Sequence, residues 1–417
     1  MTDQPCLLLR GIGELVTNDP SRPEGGLLGV VGNAAVAVCG GQVAWAGRLE
    51  DLPDEYFELP DLDCHGRAVL PGFVDSHTHL VFAGERGDEF MRRLRGDTYE
   101  SILKVGGGIQ STVRETRRVV RETAAVGLVE SALSRAERML AHGTTTVEIK
   151  SGYGLDVSTE LRMLEAATAL GTLVPIDTVC TFLGAHVVPP EFADDRDGYL
   201  HLLEQEMLPV LAPLARYCDV FCDRGAFSVA EARRVLDAGK RHGLKPKVHA
   251  EQLAATGAAR LAAEVGAVSA DHLDHVDAES AARMAAAGTV ATLLPSASFS
   301  LRTPQAPARM LWDAGVTVAI ATDCNPGTSF VESMQFVIAI AVLEMALTPA
   351  EAVWAATRGG ANAVEEPRKG WIGAGSAADI VVLDAPSHVH IPYRPGANLV
   401  WKVIKDGEVV VGGVPGP

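Results

Sequence analysis

The sequence predicts an α/β protein: a (β/α)8 TIM-like barrel with a small β-sandwich domain built from both termini. Eight apolar segments alternate with helix-forming segments over about 300 residues, as in such barrels. β-type segments also occur at both chain ends, and neither end holds enough of them for a stable sheet alone. The predicted boundaries are 1–68 plus 365–417 for the composite domain and 69–364 for the barrel. An open doubly wound sheet is the alternative, but eight strands and no nucleotide fingerprint favour closure.

Composition limits the possible partners. The chain has 417 residues, 47% of them hydrophobic, which suits one large core and a smaller second domain. A formal net charge of -17 without a basic cluster argues against nucleic acid, so an anionic substrate would need a local arginine. Without a signal-peptide pattern or an 18-residue apolar run, the sequence predicts a soluble cytoplasmic protein with no membrane contact.

The cysteines predict a reduced protein. They are seven, an odd number, and they are scattered along the chain. Cys218 and Cys222 have a spacing that could begin a zinc site, but no second pair of suitable spacing lies nearby. A structural zinc site is therefore not predicted.

Period-2 and apolar patterns locate the strands. The terminal domain is expected to use 6–9, 35–39, 42–47, 378–384 and 401–411. The barrel strands are expected at 69–79, 144–150, 177–183, 218–222, 245–249, 267–271, 289–294 and 316–321. Segments with helical spacing lie between them, for example 126–141, 228–242 and 278–287.

The connection after the first barrel strand, about 81–111, is unusually long. A long loop at the working face of a barrel is usually a lid or a specificity element. It contains Arg86, Tyr99 and the glycines 106–108. These glycines lack the Lys and Ser/Thr of a phosphate-binding loop, so a hinge is predicted.

Histidines and acids stand where several strands end, which is where barrel enzymes place their chemistry. Strand 1 ends in His77 and His79, and strand 5 ends in His249. Strand 6 ends in Asp271 and His272, and strand 8 ends in Thr322 and Asp323. Each alone could be a satisfied core histidine or a helix-capping aspartate. Three imidazoles and one carboxylate together suit a single zinc or iron ion with an open position.

Such an ion lowers the pKa of bound water from about 15.7 towards 7 and so provides hydroxide at neutral pH. Asp323 could take the water's proton and deliver it to a leaving nitrogen, and His272 could polarise a carbonyl or stabilise an oxyanion. A two-metal site would need a bridging carboxylate or a carboxylated lysine, and strand 4 ends without a lysine. Lys150 ends strand 2 and is expected to be structural or to support the site.

The sequence resembles the amidohydrolase superfamily in two segments, 71–79 and 375–384, and at His249, His272 and Asp323. Within it the chain is similar to the imidazolonepropionase family, which opens 4-imidazolone-5-propanoate to N-formimidoyl-L-glutamate in histidine degradation. The specific matches span nearly the whole chain and lie at 79–86, 148–155, 181–186, 249–252 and 321–327.

The resemblance implies roles for individual residues. His77, His79, His249 and Asp323 would hold one metal ion per subunit, zinc or iron, and His272, Gln252 and Asp323 would be catalytic. Substrate contacts would come from Arg86, Tyr99, Tyr153, His186, Gln252, Asn325, Gly327 and Thr328. Arg86 offers a planar fork for the propionate carboxylate. A homodimer is implied by the resemblance alone.

The sequence leaves two alternative functions, a deaminase and a catalytically silent binding protein. A cytosine- or guanine-type deaminase of the same superfamily would usually carry a proton-shuttling Glu at position 252, where this chain has Gln252. Whether the adjacent Glu251 turns into the pocket stays open at this level. A catalytically silent metal-containing binding protein would be expected to lose some of the histidines and Asp323, which are all present.

Overall fold

The computed structural model describes residues 6–97 and 107–412. Tyr99 and Gly106 therefore lie outside the described residues. Within the described part of the chain, no helix is long and apolar enough to cross a membrane.

Eight parallel strands form the barrel, and they follow one another around it in chain order. They are β6 (Phe73–Asp75), β7 (Thr144–Lys150), β8 (Asp177–Ala185), β9 (Tyr217–Cys222), β10 (Lys245–Ala250), β11 (Ser269–His272), β12 (Val290–Leu293) and β13 (Val318–Ile320). β7 is buried at every residue, as expected of a parallel strand covered on both faces.

The barrel closes just beyond the ends of its first and last strands. Thr78 forms an isolated parallel bridge with Cys324. The backbone N–H of Asp323 donates to His77 O at 3.0 Å, and that of His79 donates to Cys324 O at 3.0 Å. Closure thus brings the two histidines and the aspartate of the predicted site side by side.

A separate mixed sheet is built from both termini and confirms the predicted composite architecture. Its strands are β1 (Cys6–Leu15), β2 (Val31–Cys39), β3 (Gln42–Arg48), β4 (Asp61–Asp63), β5 (Ala68–Pro71), β14 (Ile380–Leu383), β15 (Val400–Lys405) and β16 (Glu408–Val411). The order is β16-β15-β14-β5-β1-β2-β3, with β4 paired to β1. N- and C-terminal strands meet where β14 pairs antiparallel with β5.

The helices lie mostly between barrel strands. They are α1 (Gly87–Leu94), α2 (Ile109–Thr123), α3 (Ala125–Ala141), α4 (Val157–Leu173), α5 (Arg196–Leu202), α6 (Leu208–Leu211), α7 (Val229–Arg241), α8 (Ala258–Glu264), α9 (Ala278–Ala287), α10 (Pro295–Leu301), α11 (Ala308–Asp313), α12 (Met334–Glu344), α13 (Pro349–Trp354), α14 (Gly360–Ala363) and α15 (His390–Tyr393). Their ends follow local capping chemistry. Ser228 and Glu231, for example, form a capping box at the start of α7.

Two expectations require correction. The run 69–79, predicted as one barrel strand, is divided between β5 of the terminal sheet and β6 of the barrel, and β6 ends before His77 and His79. Gly72 lies at the division, where a Cβ would be 2.2 Å from Thr145 Oγ1 and would not fit. The cysteines are not all reduced, because Cys6 and Cys39 face each other across β1 and β2 and form a disulfide.

The long connection after β6 is partly helical. It contains α1, and α2 begins at Ile109. Gly108 has a φ of +73°, a conformation that glycine adopts readily. The hinge predicted at these glycines lies partly outside the described residues and stays a prediction.

Candidate metal centre and substrate pocket

Four side chains from three strand ends converge at the carboxyl end of the barrel. His77 Nε2 and His79 Nε2 each lie 3.6 Å from Asp323 Oδ1. His249 Nε2, from β10, lies 3.4 Å from His79 Nε2. All four are buried. The structure therefore brings together the whole predicted ligand set, which is His77, His79, His249 and Asp323.

The donor chemistry of this ligand set fits a metal ion. Burial lowers the pKa of His77, His79 and His249 well below the usual range, so the imidazoles are neutral and keep a free lone pair. His77 Nε2 is buried without a hydrogen-bond partner among the described residues. Burial also raises the pKa of Asp323 well above its usual range, and a neighbouring cation would keep that carboxylate ionised. The donor set is therefore suited to binding a metal ion.

Two buried aspartates orient the histidine ligands from behind. Asp271 Oδ2 lies 2.7 Å from His77 Nδ1 and is hydrogen bonded to it. Asp219 Oδ1 accepts a hydrogen bond from the His249 backbone N–H at 3.2 Å, and its Oδ2 lies 3.0 Å from His249 Nδ1. On His77, the carboxylate at the far nitrogen fixes the ring and leaves the near nitrogen for a metal. On His249, Asp219 holds the backbone, and Nδ1 makes no hydrogen bond among the described residues. The sequence reading placed Asp271 beside His272 at the end of strand 6 but gave neither aspartate this role.

The aspartates belong to a set of five fully buried charged residues, which we call the buried ion cluster: Glu148, Lys150, Asp219, Lys247 and Asp271. Lys247 Nζ lies 2.9 Å from Glu148 Oε2, and Lys150 Nζ lies 3.0 Å from Glu148 Oε1. The cluster lies next to the ligand set, to which Asp219 and Asp271 connect it.

The charges of the buried ion cluster and the ligand set do not cancel. With every group ionised, three carboxylates of the cluster and that of Asp323 face only two ammonium groups. Buried carboxylates therefore outnumber buried ammonium groups at the site. Buried charges are normally paired or coordinated to a metal, so this excess of negative charge favours a bound cation.

Asp75 joins the first and last barrel strands beneath the ligand set. It accepts hydrogen bonds from the Thr322 backbone N–H at 3.1 Å and from Thr322 Oγ1 at 2.6 Å. Burial raises its pKa to about 7 despite these hydrogen bonds. Asp75 thus fixes the segments that carry His77 and Asp323.

His272 lies beside the ligand set. Its ring centroid is 5.3 Å from that of His249 and 5.5 Å from that of His77. Burial lowers its pKa to about 3, so the ring is neutral, and its Nδ1 is buried without a partner among the described residues. Its φ of +76° is unusual for a residue with a side chain and is typical of functional sites.

The two residues after His249 have different environments. The Glu251 carboxylate accepts a hydrogen bond from Gly257 N at 2.8 Å, on the loop before α8. The Glu251 carboxylate is therefore hydrogen bonded to the loop. Gln252 is half-buried on the same loop.

Tyr153 and His186 form the wall next to His79. The His186 ring stacks on His79 at 5.0 Å with an interplanar angle of 14°, and Tyr153 lies 5.6 Å from His79. The loop that carries Tyr153 is held by Glu160, whose carboxylate accepts hydrogen bonds from Gly152, Gly154 and Leu155 N–H groups at 2.7–3.2 Å. Pattern analysis missed Glu160, which stands in α4 and is fully buried.

Arg86 faces the loop after β13. Glu89 accepts hydrogen bonds from its Nε and Nη2 at 2.9 and 2.7 Å, which leaves Nη1 directed towards Gly327. The same Glu89 accepts a hydrogen bond from Gly108 N at 2.8 Å. Arg93 Nη2 donates to Gly327 O at 3.0 Å, so two guanidinium groups meet this loop. Sequence patterns did not single out Glu89 or Arg93.

Asn325 shapes that loop. Its Oδ1 accepts hydrogen bonds from Gly327 N and Thr328 N, both at 2.8 Å, and its Nδ2 donates to Asp323 O at 2.6 Å. Thr328 Oγ1 donates to Asp323 Oδ2 at 3.4 Å. Asn325, Gly327 and Thr328 therefore lie between Arg86 and the ligand set, while Tyr99 falls outside the described residues.

Comparisons with known proteins identify the family of the chain. The model of the amidohydrolase family matches residues 68–413. The imidazolonepropionase of Mycolicibacterium smegmatis is 49% identical over 405 residues, 97% of each chain. That of Salinispora arenicola is 48% identical over 96% of this chain and 98% of its own, and that of Symbiobacterium thermophilum is 45% identical over 97% of each.

Solved structures show the same fold at low identity. A triazine hydrolase variant superposes with a TM-score of 0.73 at 19% identity, over 97% of this chain and 94% of its own. Atrazine chlorohydrolase from Arthrobacter aurescens TC1, complexed with zinc, gives a TM-score of 0.71 at 19% identity over 97% and 95%. The chain belongs to the amidohydrolase family and, within it, to the imidazolonepropionases, which are hydrolases.

Proposed function

We propose that this chain hydrolyses the ring amide C–N bond of 4-imidazolone-5-propanoate to give N-formimidoyl-L-glutamate, a step in the degradation of L-histidine. The observation that carries the proposal is the similarity of 45–49% identity to imidazolonepropionases over nearly the whole chain. No observation favours the deaminase or the silent binding protein.

The proposed metal ligands are His77, His79, His249 and Asp323, and we propose one ion per subunit. Zinc is the first metal to test, because the zinc-bound atrazine chlorohydrolase shares the fold, and iron is the alternative. When bound, the ion would supply Lewis acidity that makes water a nucleophile at neutral pH.

The proton steps are assigned to residues of the chain. Water adds to the ring carbonyl carbon, and Asp323 takes the proton that the water loses. The C–N bond then breaks, and Asp323 returns that proton to the departing nitrogen. His272 is neutral and can donate a hydrogen bond to the oxyanion, and Gln252 is proposed to orient the ring.

The propionate carboxylate is assigned to Arg86. Glu89 occupies two nitrogens of its guanidinium, and Nη1 stays available on the side of Gly327. A charged hydrogen bond from Nη1 would select an anionic substrate on a protein whose overall charge is negative. Tyr153, His186, Asn325, Gly327 and Thr328 are proposed to contact the rest of the substrate, with Tyr99 as a further contact.

We also propose domain boundaries, an oligomeric state and a cellular location. The terminal domain would comprise 1–68 plus 365–417 and the barrel 69–364. The protein would be a homodimer in the cytoplasm. Sedimentation equilibrium of the purified chain tests the dimer, since a monomer at micromolar concentration contradicts it. The proposal includes neither a nucleic-acid nor a membrane partner.

The test is an absorbance assay. Purified protein of known metal content is mixed with 4-imidazolone-5-propanoate generated in situ, and loss of the imidazolone chromophore is followed. Rapid loss that a chelator suppresses, and that added zinc or iron restores, is expected. A loss no faster than the spontaneous rate, with metal bound, contradicts the proposed reaction while leaving the metal site intact.

A further inference from the structure

Lys150 lies at the centre of the buried ion cluster, at the carboxyl end of β7. Its Nζ is 2.8 Å from Asp219 Oδ2 and 3.3 Å from Asp271 Oδ2, in addition to 3.0 Å from Glu148 Oε1. The side chain is fully buried. Burial opposes its charge, but the three carboxylates raise its pKa above the usual value, so it is an ammonium group.

The two aspartate oxygens that contact Lys150 are the same oxygens that face the histidine ligands. Asp271 Oδ2 is hydrogen bonded to His77 Nδ1, and Asp219 Oδ2 lies 3.0 Å from His249 Nδ1. A single ammonium group therefore connects the supports of two ligands that come from opposite parts of the barrel. Among the described residues, Lys150 forms no hydrogen bond or ion pair with either histidine.

A purely structural role would be to neutralise buried acids that pin barrel strands together. Lys247 provides the comparison, because it is equally buried in the same cluster and also pairs with Glu148. Its hydrogen bond and ion pair are with Glu148, at 2.9 Å, and not with either aspartate oxygen that faces a ligand. Of the two, only Lys150 contacts both aspartates directly, whereas Lys247 acts on their charge from a greater distance.

We propose that Lys150 is a positioning residue of the metal centre: its ammonium group holds Asp219 and Asp271 in the positions that orient His77 and His249. The inference rests on the proposed metal ligands and not on the proposed substrate. Without the ammonium group, the two carboxylates would repel each other, and the imidazole rings would lose their fixed orientation.

The test compares metal dissociation constants of the wild-type chain, Lys150→Met and the matched control Lys247→Met, by competition with a zinc chelator. Loss of such a support typically weakens metal binding by about 10- to 100-fold, which is expected for Lys150→Met. Lys247→Met, which removes the same charge at the same burial but no direct contact with either aspartate, should lose much less affinity. Lys150→Arg, which keeps the charge, should recover part of the affinity.

Equal losses in the two methionine variants, or wild-type affinity in Lys150→Met, would overturn the positioning role. A wild-type chain that binds no divalent ion overturns the metal centre and this role together, whereas a chain that binds zinc but does not turn over the substrate overturns only the proposed reaction.

A measurement on the wild-type chain covers the case in which Lys150→Met does not fold. With 15N-labelled histidine, NMR of the folded protein should show a protonated Nδ1 on His77, because its hydrogen bond to Asp271 requires that proton. An unprotonated His77 Nδ1 would overturn the proposal.

Discussion

The guanidinium group of Arg86 lies directly against Gly327: a Cβ built on this glycine would be 2.1 Å from Arg86 Nη1. The close approach of the Arg86 side chain therefore requires glycine at position 327. Gly327→Ala should displace Arg86 and raise KM, while the metal content stays unchanged. Gly396→Ala is the control, because nothing lies within 4 Å of the added methyl group. A wild-type KM in Gly327→Ala would contradict the close approach.

Removal of the Arg86 side chain should affect binding more than chemistry. A charged hydrogen bond is worth about 1.5–3 kcal/mol, so Arg86→Ala should raise KM roughly 10- to 100-fold with a smaller change in kcat. Arg92→Ala is the matched control on α1, because Arg92 forms an exposed ion pair with Asp97. Unchanged steady-state kinetics in Arg86→Ala would rule out the carboxylate role.

Asp323→Asn separates the proton role from the fold. The amide has almost the same size as the carboxylate but cannot take a proton, so kcat should fall by at least about 100-fold. Metal content, measured on the same sample, shows whether the ligand role is also lost. Near-normal turnover would contradict the shuttle assignment.

Glu160 supports the pocket from behind Tyr153. Glu160→Gln replaces one acceptor oxygen with a donor, and the backbone N–H groups of the loop lose a partner. We expect a loss of about 1–3 kcal/mol in the free energy of unfolding and a raised KM, with unchanged metal content. Glu165→Gln on the same helix, where Glu165 pairs with exposed Arg162, is the control and should change neither quantity.

His186 should make the stability of the metal-free chain depend on pH. Burial lowers its pKa to about 4 in the folded state, against about 6.5 when unfolded. The unfolded state then binds the proton more readily than the folded state. The contribution of neutral His186 to the free energy of unfolding is therefore complete above pH 6.5. It is lost as pH falls towards 4, by at most about 1.4 kcal/mol per pH unit. Urea unfolding at pH 7 and pH 5 should show a smaller pH effect in His186→Gln than in wild type. An equal effect in both proteins would contradict the buried neutral imidazole.

Strand positions and the ligand set were predictable because each depends on a local pattern. The run 144–150 is one strand, and His77, His79, His249 and Asp323 follow from reading the ends of strands. The chemistry of the ligands is visible in their residue types, and the fold brings them together.

Other features depend on contacts between distant residues and leave no local signal. Asp219 and Asp271 are ordinary strand residues until the barrel closes around them, and Glu89 and Glu160 act on loops whose paths are set by tertiary structure. The division at Gly72 depends on the approach of Thr145, and the Cys6–Cys39 disulfide depends on the register of two strands.

That division at Gly72 has a consequence for biosynthesis. The strand that leads to His77 and His79 continues directly from β5, whose Leu70 pairs with Val381 of β14. Gly72 N also donates to Asp379 O at 2.8 Å. These partners are separated by about 310 residues, a long-range pairing of the kind that slows folding. On the ribosome, β5 can pair with β1 early, but its other edge has no partner until β14 is made. A nascent chain that ends before β14 therefore exposes this edge to aggregation and to chaperones.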